Sequence, residues 1–294
     1  MNTSGQIFLV IFSAMTLSAV YLLSLGIFRL VTTRGARFIE QGRKSSIYEK
    51  VQLSIIQAFK KNTRLRKFLS ARLTTARFSG LPLTLMVLAA CYIFALATEF
   101  LIELLQADKL AMVDQAINSI LEPTRGWPLI SIFAWITVFG NTQTIIAVCV
   151  VVSALLRVFN KASYIFPLWI TIIGSIITTW AGKYVIGRAR PEPIDGFLSL
   201  SPSFPSGHAT VATAVYGFLA YVIVRDIKKL RVRFEVVFWT AVIVGLIGFS
   251  RIYLRFHYTS DVVTGCLVGS FWLLVGFIIV EYNNMKISEG SISE

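Results

Sequence analysis

Histidine, cysteine and acidic side chains are all scarce in this sequence, and each scarcity removes a class of protein. Two histidines and three cysteines occur in 294 residues. The cysteines, Cys91, Cys149 and Cys266, stand inside apolar runs, with no CxxC pair and no Cys–His ligand spacing. That pattern argues against a disulfide framework and against a zinc site. Asp and Glu number 15 against 28 Lys and Arg, and they form no cluster of the kind that holds Mg2+. Charged residues make up only 15% of the chain and hydrophobic residues 55%, with a mean hydropathy of +0.71. A soluble globule of this length needs more polar surface, so the chain reads as an integral membrane protein. The N-terminal apolar stretch has no basic residue before Arg29 and is too long for the apolar core of a signal peptide. It reads as a retained transmembrane helix.

Seven stretches approach the roughly 20 apolar residues that a helix needs to cross a bilayer core of about 30 Å. They are Gln6 to Val31, Leu81 to Leu105, Thr142 to Leu156, Tyr164 to Val185, His208 to Val224, Val236 to Tyr253 and Val262 to Val280. The run Leu129 to Phe139 is too short to span and is cut by Gly140-Asn141, so it reads as a re-entrant or interfacial helix, with one broken span from Leu129 to Leu156 as the alternative. Between Gln106 and Trp127, apolar positions at Met112, Ala116, Ile117 and Ile120 predict a short amphipathic helix within a loop. The fold class is therefore all-α, a polytopic transmembrane bundle.

Net charge is +13, and the excess is concentrated in loops. Twelve Lys or Arg lie between Thr32 and Gly80 and five between Arg225 and Phe234, while Arg157 and Lys161 flank a third loop. Because basic loops alternate with spans as the positive-inside rule requires, membrane lipids are the expected partners and nucleic acid is not. The rule places the N-terminus outside and the C-terminus in the cytoplasm of a bacterial-type inner membrane. The expected division is 1–32 as an N-terminal helix, 33–80 as a basic interfacial segment, 81–281 as the membrane domain and 282–294 as a cytoplasmic tail. The basic segment carries no histidine, paired carboxylates or glycine-rich loop, so chemistry is sought elsewhere.

Three polar clusters interrupt the apolar pattern, and this topology brings all of them to the external face. Lys183 precedes Arg190-Pro191 by two helical turns, so the two cations can share a face while the helix lasts. Ser206-Gly207-His208 opens an apolar helix: Ser206 is placed to cap it, and Gly207 lets the backbone approach an anion at the helix N-terminus. Arg251 is followed by His257 and Asp261, spaced as i and i+4, where a carboxylate can orient an imidazole and leave its other nitrogen as a nucleophile. Arg188 and Arg255 carry no evident role and read as surface or membrane-boundary cations.

In combination, Lys183-x6-Arg190-Pro191, Pro205-Ser206-Gly207-His208 and Ser250-Arg251-x5-His257-x3-Asp261 resemble the three-part signature of the type 2 phosphatidic acid phosphatase (PAP2) superfamily, over about Asp114 to Val280. The resemblance implies a PAP2-type core and a metal-independent lipid phosphatase that needs no cofactor and works through a phosphohistidine. His257 would be the nucleophile, Asp261 its orienting carboxylate and His208 the acid for the leaving group. Lys183, Arg190, Arg251, Ser206 and Gly207 would bind the phosphoryl group. Undecaprenyl diphosphate, phosphatidylglycerol phosphate, phosphatidic acid and a lipid A phosphate are the candidate substrates, and the motifs do not choose among them. A lipid-to-lipid phosphotransferase would carry the same motifs. A transporter would place its charges at the midplane and not at one face.

Overall fold

The computed structural model describes residues 3–30, 32, 81–106, 108–194 and 200–290. The basic segment 33–80 lies outside the described residues, as do 291–294 of the tail. The helices are α1 (Thr3–Leu30), α2 (Leu81–Gln106), α3 (Asp108–Leu121), α4 (Trp127–Val138), α5 (Thr142–Val158), α6 (Ile165–Ile186), α7 (Gly207–Asp226), α8 (Leu230–Tyr253) and α9 (Thr259–Gly290). No strand occurs among the described residues. Among the described residues five helices are long and apolar enough to cross a bilayer, and α4 and α5, bent by 44° at residues 139–141, form either one broken span or a re-entrant pair. The protein is a multi-span helical membrane protein.

Contacts divide the chain into the units Met1–Leu85 and Met86–Glu294. In the first, α1 exposes Met15, Val20, Leu22, Leu23 and Ile27, an apolar surface suited to lipid. In the second, α7 is the central element: half of its apolar window is buried, against 6% for α2. A core of Ile145, Cys149, Leu168, Ile172, Val211, Val215, Phe218 and Val280 joins α5, α6, α7 and α9.

Small residues let the central helices meet closely. Gly265 and Gly269 on α9 form a GxxxG pair, and a Cβ on either would fall 2.6 Å from Ser206 O or 2.5 Å from Thr210 O on α7. Lipid tails are as apolar as leucine, so close packing rather than hydrophobicity drives such contacts. This packing sets the N-terminal turns of α7 and α9, which hold His208 and Asp261, against each other.

Several expected boundaries move. The amphipathic helix between Gln106 and Trp127 is present as α3. α8 begins at Leu230 instead of Val236 and so takes in Arg231 and Arg233. α9 runs past Val280 to Gly290. Both extensions recruit polar residues with adequate helix propensity, whose heads can reach water beyond the apolar core.

Candidate active site

α6 stops at Ile186, where Gly187 adopts φ +62°, a left-handed C-cap that favours glycine. Arg190 is thus off the helix, and the expected two-turn register with Lys183 does not bring the two cations together. They meet because the chain doubles back. Lys183 Nζ donates to Pro202 O, while Arg190 donates from Nε to Ser201 O (2.7 Å) and from Nη2 to Ser201 Oγ (2.9 Å). Arg190 Nη1 also reaches Phe256 O in the α8–α9 connection, at 2.5 Å.

His257 likewise lies before α9 and not within it, so its approach to Asp261 is made by the turn and not by one helical face. The amides of Phe256 and His257 both donate to Arg251 O, at 3.0 and 3.1 Å, folding the segment back on the end of α8. Asp261 sits three residues after Tyr258, and its Oδ2 accepts from the Tyr258 amide at 3.0 Å, half of a capping box. That oxygen is 3.5 Å from His257 Nδ1, an ion-pair distance without a formed hydrogen bond. Burial pushes the His257 imidazole down to about 3; Asp261 opposes the shift, and Arg251 and Arg190 add to it. His257 is therefore neutral at pH 7, with a ring nitrogen able to act as a nucleophile.

Ser206 precedes α7 as its N-cap, but its hydroxyl makes no capping bond and is buried without a hydrogen-bond partner. The Ser206 amide donates to Asp261 O at 3.0 Å, tying the start of α7 to the start of α9. A Cβ on Gly207 would touch Thr179 Cγ2 at 3.3 Å. His208 Nε2 lies 2.7 Å from Asn141 Oδ1. Arg251 is buried at 6% exposure and donates from Nη1 to Thr137 Oγ1 at 2.8 Å. Its Nε has no partner.

All eight residues expected from the motifs therefore lie at one end of the bundle, linked through the ends of α6, α7, α8 and α9. Lys183, Arg190 and Arg251 bond only to neutral oxygens, and none forms an ion pair among the described residues. A buried cation without a counter-ion is costly, and an anion supplies what is missing.

Five residues at this end were not singled out by their spacing, or were misread. Arg188 is not a surface cation: it bridges Asp261 Oδ1 (2.5 Å) and Asp114 Oδ2 (2.9 Å) and lies 4.2 Å from the centre of the Tyr258 ring. Burial works against its charge, but Asp261 and Asp114 outweigh that, and its pKa is raised. Asp114, buried on α3, also accepts from the Ser260 amide and hydroxyl at 3.0 and 2.5 Å. Thr137 and Asn141 come from either side of the α4–α5 bend. Arg255 pairs with Glu122 at 2.8 Å. The weak signals available were an acidic residue, Asp114, among the apolar positions of the amphipathic stretch and a polar break in an apolar run.

The PAP2 superfamily model matches residues 163–285, a match that begins later than the sequence resemblance, at α6. The chain is 30% identical over 173 residues to phosphatidylglycerophosphatase B of Bacillus subtilis, covering 56% of this chain and 82% of that protein. It is also 30% identical over 136 residues to a lipid A 1-phosphatase of Rhizobium johnstonii, covering 41% of this chain and 52% of that relative. A crystal structure of a transmembrane PAP2 type phosphatidylglycerolphosphate phosphatase from Bacillus subtilis has the same fold, with a TM-score of 0.60 at 24% identity over 66% of this chain and 96% of that one. The chain belongs to the PAP2 superfamily, a family of lipid phosphatases.

Proposed function

We propose that this protein hydrolyses a lipid phosphate monoester or diphosphate through a phosphohistidine, at the external face of a bacterial inner membrane and without a metal ion. The observation that carries this reading is the group of three cations, Lys183, Arg190 and Arg251, which form no ion pair among the described residues and are gathered beside His257 and Asp261. Phosphoryl transfer is catalysed mainly by positioning and by stabilising charge on the equatorial oxygens. The three cations, the Ser206 hydroxyl and the amide at Gly207 would receive those oxygens. Asp261 faces His257 Nδ1, so Nε2 attacks phosphorus. The P–O bond breaks with its electron pair on the leaving oxygen, and His208 supplies the proton. Water then attacks the phosphohistidine with His208 as base, releasing phosphate.

The names of the relatives favour phosphatidylglycerol phosphate or a lipid A phosphate, with phosphatidic acid and undecaprenyl diphosphate also within the class. The basic loops support an external site. Purified protein in detergent should release inorganic phosphate from at least one of these lipids and keep its activity in excess EDTA. No release from any of them, or activity lost on chelation and restored by Mg2+ or Zn2+, would overturn the proposal. For sidedness, the native cysteines are first removed; Leu200→Cys should then react with an impermeant thiol reagent outside intact cells and Lys229→Cys should not.

A further inference from the structure

The α4–α5 bend contributes directly to the site, although it lies outside the matched family region. Asn141 is the N-cap of α5, a position where an asparagine side chain ordinarily accepts a bond from the first-turn amides. Here it makes no such bond. Its Oδ1 is turned instead to His208 Nε2 at 2.7 Å, across 67 residues of sequence. Two neighbours show that this approach is built into the bend. A Cβ on Gly140 would fall 3.0 Å from His208 Cδ2 and 2.6 Å from Ile247 Cγ2, so a glycine is what lets the imidazole lie against the chain there. On the other side of the bend, Thr137 Oγ1 holds the Arg251 guanidinium at 2.8 Å. The bend thus touches the histidine of α7 and the cation of α8 together.

We infer that Asn141 is a positioning residue for His208, its amide oxygen keeping one proton on Nε2 so that Nδ1 is the nitrogen that exchanges a proton with the leaving group. This rests on the reading of His208 as the general acid. An imidazole with one nitrogen held by an acceptor has a defined tautomer and ring orientation. In the reacting step, the His257 Nε2–P bond forms as the P–O bond to the leaving group breaks. The leaving oxygen keeps the bonding pair and takes the proton from His208 Nδ1. His208 is then neutral, with its remaining proton on Nε2 donated to Asn141 Oδ1. When water attacks the phosphohistidine, Nδ1 accepts the proton back. A side chain that only capped α5 would have no part in this exchange.

The test combines a spectroscopic and a kinetic measurement. In protein labelled with 15N-histidine in detergent at pH 8, the His208 resonances, assigned by loss in His208→Asn, should report the Nε2–H tautomer. A wild-type Nδ1–H tautomer overturns the inference without any variant at Asn141. Kinetically, Asn141→Ala should lower kcat for a lipid alkyl phosphate roughly 10- to 100-fold, below or at the low end of the full range of general acid catalysis, with little change in KM. An activated aryl phosphate, whose phenolate leaves without a proton, should be far less affected. Asn141→Asp keeps an acceptor oxygen and should recover much of the loss. Equal losses on both substrates, or Asp no better than Ala, overturn the inference. His208→Ala on the same two substrates is the control: equal losses there would remove the general-acid reading itself, an outcome separate from failure at Asn141 alone.

Discussion

The two ends of the bundle both carry basic residues, but with different partners. α7 begins at Gly207 and ends at Asp226, 20 residues that span about 30 Å at 1.5 Å per residue. At its C-terminal end, Arg225 pairs with Glu281, Lys161 with Asp226 and, one helix on, Arg231 with Glu235. Their side chains are partly or largely exposed, so each pair contributes little. At its N-terminal end, Lys183 and Arg251 are buried at 7% and 6% exposure and, among the described residues, hydrogen-bond only to a carbonyl or a hydroxyl. Basic residues at a membrane boundary are common, and their number does not identify a site. Counter-ions and burial do: at one end Arg225 and Lys161 have acidic partners near the surface, and at the other Lys183 and Arg251 are buried with no ion pair among the described residues.

The largest effect expected from breaking this contrast is at the nucleophile. His257→Ala should lower turnover by about 10³-fold or more, as loss of a covalent nucleophile does, while circular dichroism remains unchanged. Next come the cations. Arg251→Ala or Lys183→Ala should each cost about 10²- to 10³-fold in kcat/KM, the range for removing one preorganised donor to developing charge. Lys161→Ala and Arg225→Ala at the other end should stay within about twofold of wild type, since exposed ion pairs matter little. Equal sensitivity at the two ends, measured with one lipid substrate, would erase the distinction.

Arg188 sharpens the comparison because, at the site end, it bridges two buried carboxylates, Asp114 and Asp261. Arg188→Ala leaves Asp114 and Asp261 facing each other without it, so the melting temperature should fall and kcat should drop with little change in KM. Arg188→Lys should restore part of the stability, having the charge but not the fork that reaches both carboxylates. A variant with wild-type melting and kcat would show that the bridge is dispensable.

A smaller effect concerns pH. His257 is held at about 3 in the folded protein against an ordinary value of 6.5. Between those values the unfolded chain binds more protons than the folded one, so stability should be complete above pH 6.5 and decline as pH falls toward 3. Apparent melting temperature in detergent should show this decline in wild type and a weaker one in His257→Gln. Identical pH profiles would mean that His257 is not held neutral by its surroundings.

The hydropathy runs made the helices legible, because a bilayer demands length and apolarity that few other folds show. The three cation and histidine motifs were legible because their spacing is short-range. What the sequence did not disclose was how the residues meet. Lys183 and Arg190 were expected on one helical face and instead meet through the return of the chain at Pro202, after Gly187 ends α6. The link from Asp114 to Ser260 crosses 146 residues, that from Arg251 to Thr137 crosses 114 and that from His208 to Asn141 crosses 67. Helix periodicity carries no information over such separations. The Gly265-x3-Gly269 pair was visible, but only the structure shows which helix it admits.

The central claim is that the buried cations Lys183 and Arg251, which form no ion pair among the described residues, serve phosphoryl transfer to His257. The most direct measurement is a single turnover with 32P-labelled lipid phosphate, quenched in alkali, where a phosphohistidine survives, and followed by peptide mapping. The account predicts label on the peptide containing His257, none in His257→Ala, and prolonged labelling in His208→Ala with a good leaving group, since the base for hydrolysis is then missing. Phosphate released by active enzyme with no label trapped on the protein at any time, or label on Ser206 in place of His257, would contradict it.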